Sequence, residues 1–219
     1  EVVKARQYDH VSGRFLPQEI RKTKDVILVE GLHTLYPKQL LQEFDVSFFI
    51  EMEESLRLFF RIKRDTEKRG HSKEVVVSEV EKRKADSEKY IKPQSARADV
   101  VFTLLPINIE LFEQDQVIDS NIKLRVCLRN GIYYQELVRI LIGVCGLQVN
   151  IDSVDERGEV ILEISGDVLS DDIHLAVNML VPHMEELLDF SAEFSEGIYG
   201  IMQIISVMEI DEALKRRRS

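Results

Sequence analysis

The segment ADVVFTLL, residues 98–105, is an apolar run rich in β-branched residues that ends just before a proline. Two similar runs precede it, VILVE at 26–30 and DVSFFIE at 45–51. Runs that are apolar at both odd and even positions predict strands that are covered on both faces. The stretches with helical character are about 37–43, 54–68 and 72–91. Because helices alternate with strands at this spacing, the pattern predicts a parallel α/β layer.

After Pro106 the order of elements changes. The expected elements are a strand at 122–129, a helix at 133–145, strands at 147–153 and 158–165, and helices at 170–189 and 197–217. The two middle strands alternate polar and apolar residues and are joined through DERG, which predicts a hairpin. Pattern alone leaves open whether residues 107–219 form a separate domain or, as we expect, continue the sheet of residues 1–106 as a mixed α+β extension.

Length and composition exclude several classes of protein. A chain of 219 residues that is 44% hydrophobic can bury a full core. Its formal net charge of −10 repels a phosphate backbone, so we expect no nucleic-acid partner. Without an apolar run near the ~18 residues that span a bilayer, or a signal-like N-terminus, we expect a cytoplasmic protein with no membrane contact. Cys127 and Cys145 stand in no metal-binding or disulfide pattern, which predicts two free thiols.

A strongly cationic stretch, RIKRDTEKRGHS at 61–72, stands out in this acidic chain. On a helix over 54–68, one face would carry the basic residues Arg57, Arg61, Arg64 and Lys68. Asp65 would lie at the border of this ridge and orient an arginine. Gly70 would end the helix and Ser72 would cap the next one. The two helices would form a hairpin able to close over polyphosphate, since guanidinium groups bind phosphate in a bidentate way. The alternative is a solvated charged face paired with local acids.

Two further segments carry side chains that could bind a metal ion or a substrate. Glu30 directly follows an apolar run, and in an open α/β sheet ligands bind at the carboxyl ends of strands. Its carboxylate could therefore hold Mg²⁺ or a metal-bound water; the alternative is a capping role. Tyr8 and His10 alternate on an extended segment and so share one face, from which they could bind a sugar or stack on a base. The alternative is an ordinary pair on an edge strand.

Taken together, four segments resemble the phosphoribulokinase and uridine kinase family of P-loop kinases in order and spacing. They are YDHVSGRF, VILVEGLHTLY, RIKRDTEKRGHS and KRKADSEKYIKPQSARADVVFTLLP. The forms HVSG, EGLH and RDTEKRGHS look more like phosphoribulokinase than uridine kinase. Beyond Pro106, LRVCLRNGIYY, VILEISGDV and EGIYGIMQIISV are similar to the C-terminal extension of the plant and cyanobacterial type. The resemblance implies a three-layer P-loop kinase-like core with parallel strands.

The resemblance also implies roles for individual residues. Arg64, Asp65 and Arg69 would be the catalytic residues of a lid at about 61–75, with Arg64 and Arg69 also contacting the phosphates of ATP. Glu30 would be the acid near Mg²⁺. The residues that contact the acceptor would be Tyr8, His10, Arg61 and Arg83. The reaction implied is transfer of the γ-phosphoryl group of ATP to ribulose 5-phosphate, in a homodimer.

The sequence departs from the family in one respect. None of its ten glycines stands in a phosphate-binding GxxxxGK loop followed by Ser or Thr. The family's catalytic base belongs to the segment after that loop, so no residue here matches it. We therefore expect these 219 residues alone to be inactive and the loop to be encoded upstream. Two alternatives remain: a uridine or other nucleoside kinase, and a non-catalytic relative that binds a sugar phosphate or a partner protein.

Overall fold

The structure is a computed structural model, and it describes residues 2–9, 12–22, 26–113, 121–129, 134–154, 158–184 and 192–218. Backbone contacts divide the chain into two compact units, residues 1–34 and residues 35–219.

The unit of residues 1–34 contains two small antiparallel ribbons. Strand β1 (Val2–Ala5) pairs with β4 (Glu19–Lys22), and β2 (Tyr8–Asp9) pairs with β3 (Arg14–Phe15). The turn between β2 and β3 is closed by a hydrogen bond from the Gly13 amide to the Asp9 carbonyl at 2.9 Å. Gly13 has φ 67°, a conformation that glycine adopts without steric cost.

The expected strand at 26–30 is absent from the structure. Residues 27–30 belong to no helix or strand, and no described strand pairs with them. The side chains of Val26 and Leu28 are 67% and 87% exposed. A strand is stabilised by hydrogen bonds to a neighbour and by packing on its faces, and this run has neither in the described part of the chain. The prediction of a strand was therefore wrong here, although the residue types are those of a strand.

The unit of residues 35–219 is built on a five-stranded sheet with the order β5-β6-β7-β9-β8. Its strands are β5 (Phe48–Met52), β6 (Val100–Pro106), β7 (Ile122–Leu128), β8 (Gln148–Val154) and β9 (Val160–Ser165). Strands β5 and β6 are parallel, and the other neighbours are antiparallel. One sheet thus contains strands from both sides of Pro106. The hairpin expected around DERG is confirmed as β8 and β9.

The α-helices of the described residues are α1 (Lys38–Leu41), α2 (Glu54–Glu67), α3 (Lys73–Lys82), α4 (Lys84–Asp86), α5 (Ile109–Glu113), α6 (Tyr134–Gly143), α7 (Ser170–Leu180) and α8 (Gly197–Arg218). The single helix expected over 72–91 is interrupted. After Lys82 the chain continues as α4, a π-helical turn (Ser87–Ile91) and a 3₁₀ helix (Lys92–Arg97) with a proline in its first turn. The N-cap predicted at Ser72 is confirmed, since its hydroxyl accepts the Val75 amide at 3.4 Å.

The main hydrophobic core lies between one face of the sheet and the helices. Strands β7 and β9 alternate buried and less buried residues, as expected for antiparallel strands with one covered face. The strands contribute Phe102, Leu124 and Leu162, and side chains of α2, α6, α7 and α8 pack in the same cluster. On the opposite face, Leu35 forms a smaller cluster with Val101 at the β5–β6 end.

Beyond that smaller cluster the second face is polar. A row of facing residues crosses all five strands: Glu51, Thr103, Arg125, Glu163 and Asn150. Glu163 accepts hydrogen bonds from Lys123 at 2.8 Å and Arg125 at 2.6 Å. In the described part of the chain, no helix is long and apolar enough to cross a membrane.

Candidate functional site

Helix α2 carries the cationic segment, and its apolar side fixes it to the core. Glu53 caps the start of the helix, and its carboxylate accepts the amide of Ser55 at 3.0 Å. Leu56 is fully buried, and the ring of Phe59 lies 5.5 Å from that of Phe112 in an edge-to-face contact. Edge-to-face aromatic contacts favour one relative orientation of the rings. Because this side of α2 is anchored, its charged side is held in one orientation.

Three arginines converge on the carboxylate of Asp65. Arg64 donates from Nε to Oδ1 at 2.8 Å, the Nη1 atom of Arg69 lies 3.3 Å from the same oxygen, and the Nε atom of Arg61 lies 3.7 Å from Oδ2. Asp65 itself is only 4% exposed. The sequence placed Asp65 at the border of a basic ridge. In the structure it is the centre of the cluster, since Arg61 and Arg69 stand four residues before and after it.

The electrostatics of this cluster favour the ionised forms. The hydrogen bond from Arg64 lowers the pKa of Asp65, and the charges of Arg69 and Arg61 lower it further, against an opposing effect of burial. The same hydrogen bond raises the pKa of Arg64. One carboxylate compensates one of three guanidinium charges, so two positive charges are left to attract an anion.

The three arginines differ in how well a ligand can reach them. The side chains of Arg64 and Arg69 are 50% and 57% exposed, whereas that of Arg61 is 24% exposed. The Nε atom of Arg61 is buried without a hydrogen bond within the described residues. Arg64 uses Nε for Asp65 and leaves its terminal nitrogens for another partner. The two exposed arginines are therefore the ones positioned to bind a phosphate group.

At the N-terminal end of the basic ridge predicted for α2, the cationic side chain is paired with a neighbouring acid. Arg57 turns to Glu54 and donates a hydrogen bond to its Oε1 at 2.6 Å. A partly exposed ion pair three residues apart on a helix is an ordinary surface pair of small stability. The alternative interpretation, a charged face paired with local acids, thus holds fully for Arg57, whereas the three arginines around Asp65 share a single acid.

The turn after α2 has the geometry that the sequence indicated. Gly70 has φ 69°, and its amide donates to the carbonyl of Thr66 at 3.2 Å. The amide of His71 donates to the Asp65 carbonyl at 3.1 Å, so Asp65 holds the turn through its backbone as well. A Cβ at Gly70 would meet nothing within 4 Å, so glycine is needed for its conformation rather than for space.

Arg83 caps the C-terminal end of helix α3, which also carries an acid that sequence reasoning missed. Arg83 is exposed, and its Nη2 atom lies 3.9 Å from a carboxylate oxygen of Glu79, whose other oxygen accepts Lys82 at 2.9 Å. The hydrogen bond from Lys82 lowers the pKa of Glu79 most, with smaller effects from the charges of Arg83 and Arg61. The charge on Glu79 is thus stabilised by both arginines that the sequence predicted to contact the acceptor. Its three- and four-residue spacing to Lys82 and Arg83 was the signal available in the sequence.

The remaining predicted site residues belong to the unit of residues 1–34. Tyr8 is partly exposed and packs edge to face on Phe15, with ring centroids 5.2 Å apart. His10 lies outside the described residues. Glu30 is exposed, and the described residues contain no group of three or more acids, histidines or cysteines that could hold a metal ion. The substrate roles of Tyr8 and His10 and the metal role of Glu30 stay predictions.

The fit of ATP and Mg²⁺ to these residues is partial. Arg64 and Arg69 offer exposed guanidinium groups for phosphate oxygens, held in place by a buried carboxylate. Mg²⁺ in nucleotide sites commonly takes one or two protein carboxylates besides phosphate and water, so a single acid such as Glu30 is compatible with it. The glycine-rich cradle for the phosphates has no counterpart in the sequence. The residues present therefore supply guanidinium groups that can contact the phosphates, but not the loop that would enclose them.

Comparison with solved structures finds a protein of similar α/β fold. The chain matches the phosphoribulokinase from Rhodobacter spheroides with a TM-score of 0.57 at 18% sequence identity. The match covers 85% of this chain and 67% of that one. At this identity the likeness shows the fold alone.

Sequence comparison then identifies the family. The model of the phosphoribulokinase / uridine kinase family matches residues 1–109. The chloroplastic phosphoribulokinase of Spinacia oleracea is 32% identical over 127 residues, which are 58% of this chain and 31% of that protein. The phosphoribulokinase of Synechocystis sp. is 29% identical over 59% of this chain and 38% of that protein. The uridine kinase of Proteus mirabilis is 34% identical over 43% of this chain and 46% of that protein.

Through residues 1–109 the chain belongs to the phosphoribulokinase / uridine kinase family. Its matched segment spans about a third of the length of the Spinacia oleracea and Synechocystis phosphoribulokinases. The family expected from RDTEKRG and its neighbouring segments is thereby confirmed.

Proposed function

We propose that the protein containing this chain is an ATP-dependent kinase that phosphorylates a hydroxyl group of a sugar phosphate. The acceptor we propose is ribulose 5-phosphate, and the product ribulose 1,5-bisphosphate. The observation that carries the proposal is the cluster in which Asp65, 4% exposed, holds the half-exposed Arg64 and Arg69. Support for the acceptor comes from the phosphoribulokinases of Spinacia oleracea and Synechocystis sp..

In this proposal ATP is the phosphoryl donor, and Glu30 would hold a Mg²⁺ ion, which would supply positive charge to the phosphates. Arg64 and Arg69 bind oxygens of the transferring group and stabilise the negative charge on them. Asp65 is a positioning residue that keeps these arginines from adopting other rotamers and makes no contact with the substrate. Arg61 and Arg83, with Tyr8 and His10, bind the acceptor. We propose a homodimer, for which the edge strands β5 and β8 offer pairing surfaces in the described sheet.

The first test measures anion binding by the 219-residue chain. Titration calorimetry with inorganic tripolyphosphate should give binding that weakens steeply with added NaCl, because the attraction is between charges. Arg64→Gln and Arg69→Gln should each weaken it about fivefold or more, as expected for a lost charge-assisted hydrogen bond. Arg57→Gln is the matched control on the same helix, since Arg57 pairs with Glu54, and it should leave binding unchanged. Equal effects of all three substitutions would contradict the assignment of Arg64 and Arg69.

The second test measures phosphoryl transfer by the full-length protein with a coupled assay for ADP. Ribulose 5-phosphate should support turnover, uridine should not, and Arg69→Gln should lower kcat about a hundredfold or more. Preference for uridine would replace the proposal with a nucleoside kinase, for which the Proteus mirabilis relative is the support. Turnover with neither acceptor would favour a non-catalytic binding protein. The 219 residues alone should release no ADP, because they contain no phosphate-binding loop.

A further inference from the structure

A cavity of about 290 Å³ lies in the unit of residues 35–219, and its lining contains none of the side chains discussed above. Its buried lining includes Leu104 near the end of β6, Ile122 at the start of β7 and Val168 in the loop after β9. Asp167 and Tyr199 are exposed at its mouth, together with Glu196 just before α8. The volume is near the lower limit of ~300 Å³ for small-molecule pockets, so it suits a ligand smaller than a nucleotide.

The walls of this cavity are tied together by hydrogen bonds. The amide of Gly197 donates to the carbonyl of Val168 at 2.9 Å, which joins the start of α8 to the loop after β9. The amide of Ser195 donates to Oε1 of Gln203 at 2.8 Å and fixes the approach to α8. At Gly200 a Cβ would lie 2.8 Å from Cγ1 of Ile173, so α8 and α7 approach as closely as a glycine allows. The cavity is therefore formed before any ligand enters.

The chemistry of the lining selects one class of ligand. The floor is apolar, whereas the mouth carries two carboxylates and an aromatic ring. Within the described residues neither Asp167 nor Glu196 has an ion-pair partner. Helix α7, which begins just beyond Asp167, has no side-chain cap hydrogen bond. Asp167 is thus not engaged as a cap of α7, and both acids can face a bound molecule.

We propose that this cavity binds a small organic cation with an apolar body, such as a primary amine on a ring or a short branched chain. The apolar part would lie on Leu104, Ile122 and Val168, and the ammonium group would lie between Asp167 and Glu196 beside the ring of Tyr199. Ammonium groups are attracted by carboxylates and by aromatic faces alike. Phosphate-bearing ligands are repelled by the same two acids, so the cavity and the arginines around Asp65 select opposite charges.

The experiment compares three probes of one size on the 219-residue chain: benzylamine, benzyl alcohol and benzoate. Ligand-observed NMR titration should give benzylamine a Kd on the order of 1 mM, a plausible value for about eight heavy atoms. Benzyl alcohol should bind about fivefold more weakly and benzoate not measurably. Each exposed charge pair contributes roughly a twofold to fivefold preference, so 0.5 M NaCl should reduce the difference between amine and alcohol.

Two substitutions at the mouth test whether its carboxylates cause the preference for benzylamine over benzyl alcohol. Asp167→Asn and Glu196→Gln should each weaken benzylamine binding about twofold and leave benzyl alcohol unchanged, and the double variant should bind both probes equally. Glu193→Gln, an exposed acid outside the lining, is the matched control and should change neither. All three positions are exposed, and circular dichroism checks that each variant keeps the fold. Equal binding of amine and alcohol by the unsubstituted chain, unchanged binding in the double variant, or no binding at 10 mM would each overturn the proposal.

Discussion

Replacement of Glu209 by Gln should stabilise the protein above neutral pH. Glu209 lies on α8 and is buried, and burial raises its pKa from 4.5 to about 7. Arg216 opposes this rise, whereas the nearby acids Asp99 and Glu212 add to it. Asp99 is itself held in place, since it accepts the amide of Ser47 at 2.8 Å and its hydroxyl at 2.6 Å. The folded protein thus keeps a buried carboxyl group close to fixed negative charge.

The magnitude follows from the shift in pKa. A rise from 4.5 to about 7 corresponds, at about 1.4 kcal/mol per tenfold change in proton affinity, to roughly 3 kcal/mol. Below pH 4.5 the group is protonated in both states and has no cost. Between pH 4.5 and 7 the unfolded state loses its proton first, so the free energy of unfolding falls as the pH rises. Above pH 7 the full cost is present.

Urea unfolding followed by circular dichroism between pH 4.5 and 8.5 measures this effect. Glu209→Gln removes the titrating group at nearly constant volume. Its free energy of unfolding should exceed that of the unsubstituted protein by up to about 3 kcal/mol at pH 8, and the difference should shrink towards zero near pH 4.5. Glu193→Gln, at an exposed position, is the control and should leave the pH dependence unaltered. A difference between Glu209→Gln and the unsubstituted protein that does not vary with pH would refute the reasoning.

Two further predictions concern a buried thiol and a close helix contact. Burial raises the pKa of the Cys145 thiol to about 11. In a Cys127→Ser variant, Ellman's reagent at pH 8 should therefore modify this remaining thiol only after unfolding. Rapid modification of the native variant would contradict this prediction. Gly200→Ala should lower the free energy of unfolding by about 1–3 kcal/mol, although alanine normally favours a helix. The reason is that the new Cβ would lie against the Ser195 carbonyl and 2.8 Å from Cγ1 of Ile173. Gly143→Ala, where a Cβ would meet nothing within 4 Å, is the matched control, and an equal loss in both variants would show that the contact with Ile173 is not the cause.

Features that depend on residues close in sequence could be read from the sequence. The cap at Ser72, the turn at Gly70, the β8–β9 hairpin and the long α8 all follow from local patterns. Each of these elements forms its hydrogen bonds within a few residues or across one short turn, so the chain itself carries the signal. The cationic segment and its family were identified for the same reason, since the segment occupies twelve consecutive positions.

The sequence by itself determined the segments, their type and the cluster of arginines, and tertiary structure decided which of them become buried. Asp65 and Glu209 are acids on helices, and nothing in their neighbours along the chain showed that both would be less than one-tenth exposed. VILVE has the composition of a strand and remains unpaired in the described structure, whereas ADVVFTLL pairs on both edges. Burial and strand pairing depend on residues that are distant along the chain, so local patterns do not specify them.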